Sequence, residues 1–214
     1  MRPPAKAQSH LRYPITRLFG DTAHVRLLRA LSQHGDAQSA TQLARATGLS
    51  APGVLKALGS LEAQGVVEVL GGGRSRVYRL ASAHPLVQLL QPAFSEERAR
   101  WDALQQALKT LLARQAGVLA AWLYGSVARG EDEPGSDVDL ALLVEQRAAA
   151  DRVRTELHEL EPRYGVHFSV VDLTRRDLQE AEPTWWANVC KDGRTLKGAP
   201  AAELAAALHR GPAA

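Results

Sequence analysis

Residues 122–144 read WLYGSVARGEDEPGSDVDLALLV, and this stretch decides the second half of the chain. The apolar run Gly117–Tyr124 predicts a buried strand that stops at Gly125-Ser126 and passes into the short, helix-like Val127-Ala128-Arg129-Gly130. Glu131-Asp132-Glu133-Pro134-Gly135-Ser136 is turn-forming, and Asp137–Val144 predicts a second buried strand. Side chains alternate along a strand, so Asp137 and Asp139 share a face. Two carboxylates side by side at the head of an apolar strand repel each other and are costly to desolvate. A divalent cation between them removes both costs. Magnesium suits best, as a hard ion held by one or two carboxylates, water and substrate phosphates. Gly125 lets backbone N–H groups approach a phosphate, the helix start beyond it favours an anion, and Ser126 adds a hydroxyl. Arg129 either neutralises charge on the same phosphates or pairs with Glu131 or Asp132.

Gly125-Ser126, a spacer and Asp137-x-Asp139 on the next strand resemble the signature of the DNA polymerase beta-like nucleotidyltransferases. Residues 122–144 are similar to that superfamily's minimal members, down to Gly-Ser-Val-Ala-Arg-Gly and Ser-Asp-Val-Asp-Leu. The resemblance implies attack of an acceptor on the α-phosphate of a nucleoside triphosphate, with ATP the expected donor. Pyrophosphate leaves while two metals stabilise the attacking and leaving oxygens. It makes Asp137 and Asp139 the catalytic metal ligands and puts Gly125, Ser126, Arg129 and Ser136 on the nucleotide. A third carboxylate usually stands on a later strand. Along Val166–Leu173 the alignment puts Ser169 there, with Asp172 the nearest acid. Three residues on, Asp172 faces the other way; a bulge would re-aim it into a catalytic role. Otherwise it caps the helix that begins near Thr174.

The first half follows a different pattern. Asp21 precedes Thr22–His34, where Val25, Leu28 and Leu31 recur at helical spacing. A short helix over Thr41–Thr47 ends at Gly48, and Ser50 opens a third helix with Pro52 in its first turn and Val54, Leu55, Leu58 and Leu61 on one face. Val66–Leu70, the turn Gly71-Gly72-Gly73 and Arg74–Leu80 predict a hairpin. This order resembles a winged helix-turn-helix, which implies that the third helix enters the major groove of duplex DNA. Its leading residues, Ala51, Pro52, Gly53 and Lys56, lack the bidentate forks that read base edges. Arg45, Lys56, Arg74, Arg76 and Arg79 are the expected phosphate contacts.

Charge divides the same way. Residues 1–82 hold 11 Lys and Arg against 4 Asp and Glu, and the remainder holds 15 against 19, within a 214-residue chain of net charge +3. A basic half suits a polyanion. The α+β expectation is therefore a winged helix over 15–82, a linker and connecting helix over 83–116, a small mixed-sheet nucleotidyltransferase domain over 117–198, and a C-terminal helix and tail over 199–214. Pro92 is expected to interrupt the Leu86–Leu90 run, with the connecting helix opening at Ser95. Trp185-Trp186 predicts packing rather than a base-stacking platform. Cys190 alone forms no internal disulfide. No run approaches a membrane span, so a cytoplasmic protein is expected.

His84-Pro85-Leu86 and the closing Asp192–Gly198 are similar to a prokaryotic two-domain group of this architecture. Its transferase part resembles the antitoxin halves of toxin–antitoxin pairs, which implies a HEPN-type toxin as protein acceptor and operon autoregulation by the winged helix. A homodimer fits the winged-helix half. The rival expectation is a regulator without catalysis, whose transferase domain senses nucleotide or docks a partner.

Overall fold

Short polar side chains that accept backbone N–H bonds open the first helices. In the computed structural model, which describes residues 14–180 and 183–209, the chain divides into two compact units between Ala99 and Arg100. The first unit begins with α1 (Pro14–Phe19) and α2 (Thr22–His34), the latter capped by Asp21, which accepts from Ala23 N at 2.8 Å. After β1 (Gln38–Ser39) comes α3 (Ala40–Thr47), closed at its start by a reciprocal capping box between Ser39 and Gln42. Ser50 caps α4 (Ala51–Ala63) through Gly53 N. Leu27, Leu28, Leu31, Leu43, Val54, Leu58 and Leu61 are buried together with Tyr78. The hairpin is β2 (Val67–Leu70) and β3 (Val77–Leu80), and β1 adds to β3 to give the order β1-β3-β2.

Two expectations for this half are corrected. Arg74 and Ser75 lie in a 3-10 turn, Gly73–Ser75, so the second wing strand starts only at Val77. Nor does Pro92 end a helix: α5 runs unbroken over Pro85–Arg114. Pro85 occupies the first helical position, where its missing N–H costs nothing. Pro92 forfeits one hydrogen bond and crowds the preceding turn, a loss of roughly 3 kcal/mol. Burial of Val87 and Phe94 on either side, each able to contribute about 1.5–3 kcal/mol, offsets it.

In the second unit, the later part of α5 leads to β4 (Val118–Tyr124), α6 (Gly125–Arg129), β5 (Val138–Val144), α7 (Arg147–Tyr164) and β6 (Phe168–Leu173). Then follow α8 (Arg175–Glu180), α9 (Pro183–Asp192), β7 (Arg194–Lys197) and α10 (Ala201–His209). The mixed sheet has the order β6-β5-β4-β7, with β5 and β6 parallel and the other pairs antiparallel. Strand alternation divides it into two cores. Leu140 and Leu142 pack on one face with Leu108, Leu112, Val153 and Leu157 of α5 and α7. Ala141 and Leu143 pack on the other with Trp122, Leu178 and Val189. Trp122 is fully buried, donates to Ala199 O at 3.0 Å and meets Trp186 edge-on at 5.6 Å.

The motif Asp192–Gly198 forms β7, whose strand character the sequence reading missed. Lys197 there donates to Leu112 O at 2.8 Å and Gln115 O at 3.0 Å, placing its charge at the C-terminal end of α5, where the helix dipole favours a cation.

Candidate active site

β4 delivers the chain to Gly125, which adopts φ +76°. A Cβ there would lie 2.1 Å from Oδ2 of Asp139, so only glycine allows the carboxylate to sit against this turn. Five residues of α6 follow, ended by Gly130 in the left-handed region. The next loop is pinned by a turn. Ser136 N donates to Glu133 O at 2.9 Å while Glu133 N donates to Ser136 Oγ at 3.0 Å, with Pro134 and Gly135 between. Ser136 thus shapes the approach to β5, and its hydroxyl proton remains to be donated elsewhere.

Asp137 is exposed one residue before β5, and Asp139 is half-buried on it. Asp139 stands in register with Tyr124 on β4 and with Ser169 on β6. Burial raises the Asp139 carboxyl above its ordinary pKa, and the charge of Asp137 raises it further. A hydrogen bond from Ser169 and the charge of Arg129 act the other way. Tyr124 is pushed up mainly by burial, and Asp139 adds to this. Its hydroxyl accepts from Trp185 Nε1 at 3.3 Å. Arg129 pairs with Glu131 at 2.7 Å and lies 3.9 Å from Asp192, so the second of its two expected roles is present.

Asp172 does not join this group. The β5–β6 register advances one residue at a time from Val138–Phe168 to Leu143–Leu173, with no bulge. Asp172 therefore projects to the α7 face, where Arg147 binds it at 2.8 Å and Arg154 also pairs with it. The expected catalytic role is corrected accordingly. Nor does it cap the next helix: Thr174 does, its hydroxyl accepting from Asp177 N at 3.3 Å while the Asp177 carboxylate accepts from Thr174 N at 2.9 Å.

Among the described residues no three His, Cys, Asp or Glu side chains converge to hold a metal. The Asp137–Asp139 pair nonetheless fits a hard dication. Its donors are all oxygen, and its charges are crowded enough to raise a pKa.

Residues 106–199 match the family described as polymerase beta, nucleotidyltransferase. The second unit carries a polymerase beta-type nucleotidyltransferase domain. Residues 20–75 match the MarR family, and the first unit is a MarR-like winged helix. No curated protein matches the chain. Solved structures similar to about half of it include a toxin–antitoxin crystallised with AMP-PNP (19% identity, covering 50% of this chain and 86% of that one, TM-score 0.37). Another is the tri-AMPylated HEPN toxin of Shewanella oneidensis in complex with MNT antitoxin (19%, 49% and 82%, TM-score 0.33). A third is an ArsR-like transcriptional regulator from Rhodococcus sp. RHA1 (28%, 48% and 94%, TM-score 0.31).

On the winged helix, Arg45 lies in the last turn of α3, Lys56 projects from α4 and Arg76 precedes β3, all exposed. Arg79 is paired with Glu68 directly across the hairpin at 2.8 Å, which cancels its charge locally. The Arg74 side chain lies outside the described residues. The nucleotidyltransferase domain also holds two site neighbours that sequence reasoning passed over, Tyr124 and Asp192. Tyr124 was legible only as the last apolar residue of a strand. Asp192 approaches Arg129 through the packing of α9 on α6, which no local spacing reveals.

Proposed function

We propose that the nucleotidyltransferase domain moves a nucleoside monophosphate from a nucleoside triphosphate, ATP first, to an acceptor hydroxyl in a magnesium-dependent reaction. The observation that carries this reading is the Asp139 carboxylate seated against Gly125 with Asp137 beside it in sequence. Asp137 and Asp139 would hold the cation, which supplies charge neutralisation and Lewis acidity at phosphate oxygens. Gly125 and Ser126 receive the triphosphate, and Arg129 and Ser136 border it. In the transfer, the acceptor oxygen bonds to the α-phosphorus. The bond from that phosphorus to its bridging oxygen breaks, pyrophosphate leaves with the electron pair, and the acceptor proton passes to solvent. The proposed acceptor is a partner protein of the HEPN type, after the antitoxins the sequence resembles.

The winged helix, assigned to residues 15–82, is proposed to bind duplex DNA in the cytoplasm through α4 and the exposed Arg45, Lys56 and Arg76. Transfer is assigned to 117–198, with 83–116 joining the two and 199–214 closing the chain. A second reading, a nucleotide-responsive DNA regulator without transfer, draws on Ser169 standing beside Asp139 where an acid would serve catalysis.

One experiment separates them. Protein, magnesium and ATP labelled at the α- or the γ-phosphate are incubated with candidate acceptors, beside an Asp137→Ala/Asp139→Ala control. Label from the α-position alone, lost in the control, supports nucleotidyl transfer. Nucleotide-dependent DNA binding with no label on any acceptor supports the regulator.

A further inference from the structure

We infer that the nucleotide site takes a single divalent cation per chain, and that Ser169 is the residue that sets this number. The inference rests on the nucleotide-site reading above and concerns how that site is loaded. Two dications about 4 Å apart repel with four times the energy of two unit charges, so paired-metal sites depend on anionic ligands gathered around both. This site supplies two, Asp137 and Asp139. The position flanking Asp139 on the neighbouring strand belongs to Ser169, whose side chain is a neutral hydroxyl.

Among the described residues no other acid joins this pair to make up the difference. Asp172 projects from the opposite face of the sheet, its carboxyl 8% exposed and held by Arg147 and Arg154. Glu131 is taken by Arg129, and Asp192 also lies near that guanidinium. The regular β5–β6 register leaves no bulge through which another side chain could be re-aimed. Two carboxylates, with water and phosphate oxygens, would supply the oxygen ligands that one hard ion needs. A second ion at the acceptor side would have lost its own carboxylate.

The full chain, saturated with a non-hydrolysable ATP analogue, is titrated with Mn²⁺ while free Mn²⁺ is followed by electron paramagnetic resonance. The wild type is expected to bind one tight equivalent, and Asp137→Ala/Asp139→Ala none. Ser169→Asp is expected to bind two, and Ser169→Asn, similar in size but neutral, one. Circular dichroism checks that each variant is folded. Two tight equivalents in the wild type would overturn the inference, as would a folded Ser169→Asp that still binds one. Should Ser169→Asp fail to fold, the wild-type stoichiometry decides alone. Analogue bound with no tight Mn²⁺ overturns it while sparing the nucleotide seat. Neither analogue nor Mn²⁺ bound removes the nucleotide-site reading as well.

Discussion

Asp139 illustrates how a residue suited to cation binding strains the protein that carries it. Its pKa is raised in the fold, first by burial and then by Asp137. The folded state therefore favours the proton. That contribution to stability is complete below the ordinary carboxylate pKa and is lost as pH rises through the folded value. Asp139→Asn, which cannot ionise, should melt at a higher temperature than the wild type at pH 7 without divalent cations. The advantage should disappear in acid; melts showing the same gain at both pH values would refute this origin. Asp172 is the contrasting case. Asp172→Asn weakens its hold on Arg147 and Arg154, and is expected to lower stability by about 1–3 kcal/mol while leaving transfer intact. A folded variant without activity would return Asp172 to the site. The Gly125, Ser126, Asp137 and Asp139 constellation was legible because its chemistry lies in adjacent strands and one turn. The fate of Asp172 was not, because parity along a strand leaves a bulge open until the partner's register is known.

At the level of elements, β6 forms one edge of the four-stranded sheet, where unpaired backbone groups invite another chain. Side chains from α7 cover it. Glu161 accepts from Phe168 N at 3.0 Å, and Arg154 donates to Val170 O at 3.3 Å. Removing both, as Arg154→Ala/Glu161→Ala, should expose the edge and increase self-association, read by light scattering at increasing concentration. Scattering unchanged from the wild type would show that the cover is dispensable. Strong periodicity made α2 and α4 readable, and continuous apolar runs did the same for β4 and β5. Three elements escaped for identifiable reasons. β1 has two residues and exists only through its pairing with β3. β7, Arg-Thr-Leu-Lys, lacks an apolar run and is made a strand by β4. α5 passes through Pro92 because packing outweighs the local penalty, a balance that a proline in isolation does not reveal.

For the whole molecule, the charge split between the halves implies two partners of different character. Affinity for duplex DNA should fall steeply with salt, since each neutralised phosphate contributes a slope of about −0.9 in log–log form. Arg45→Ala, Lys56→Ala and Arg76→Ala should each flatten that slope by roughly one unit, whereas Arg79→Ala should change it little, because Glu68 already balances it. Fluorescence anisotropy over a salt series checks this; equal changes at all four positions would refute the distinction. The chain's four tryptophans, Trp101, Trp122, Trp185 and Trp186, all belong to the second unit. Intrinsic emission excited at long ultraviolet wavelengths thus reports the melting of that unit alone, while the winged helix stays optically silent except through its backbone ellipticity. Comparing the two signals during a denaturant ramp reads the cooperativity between the halves from an unlabelled, unmutated chain.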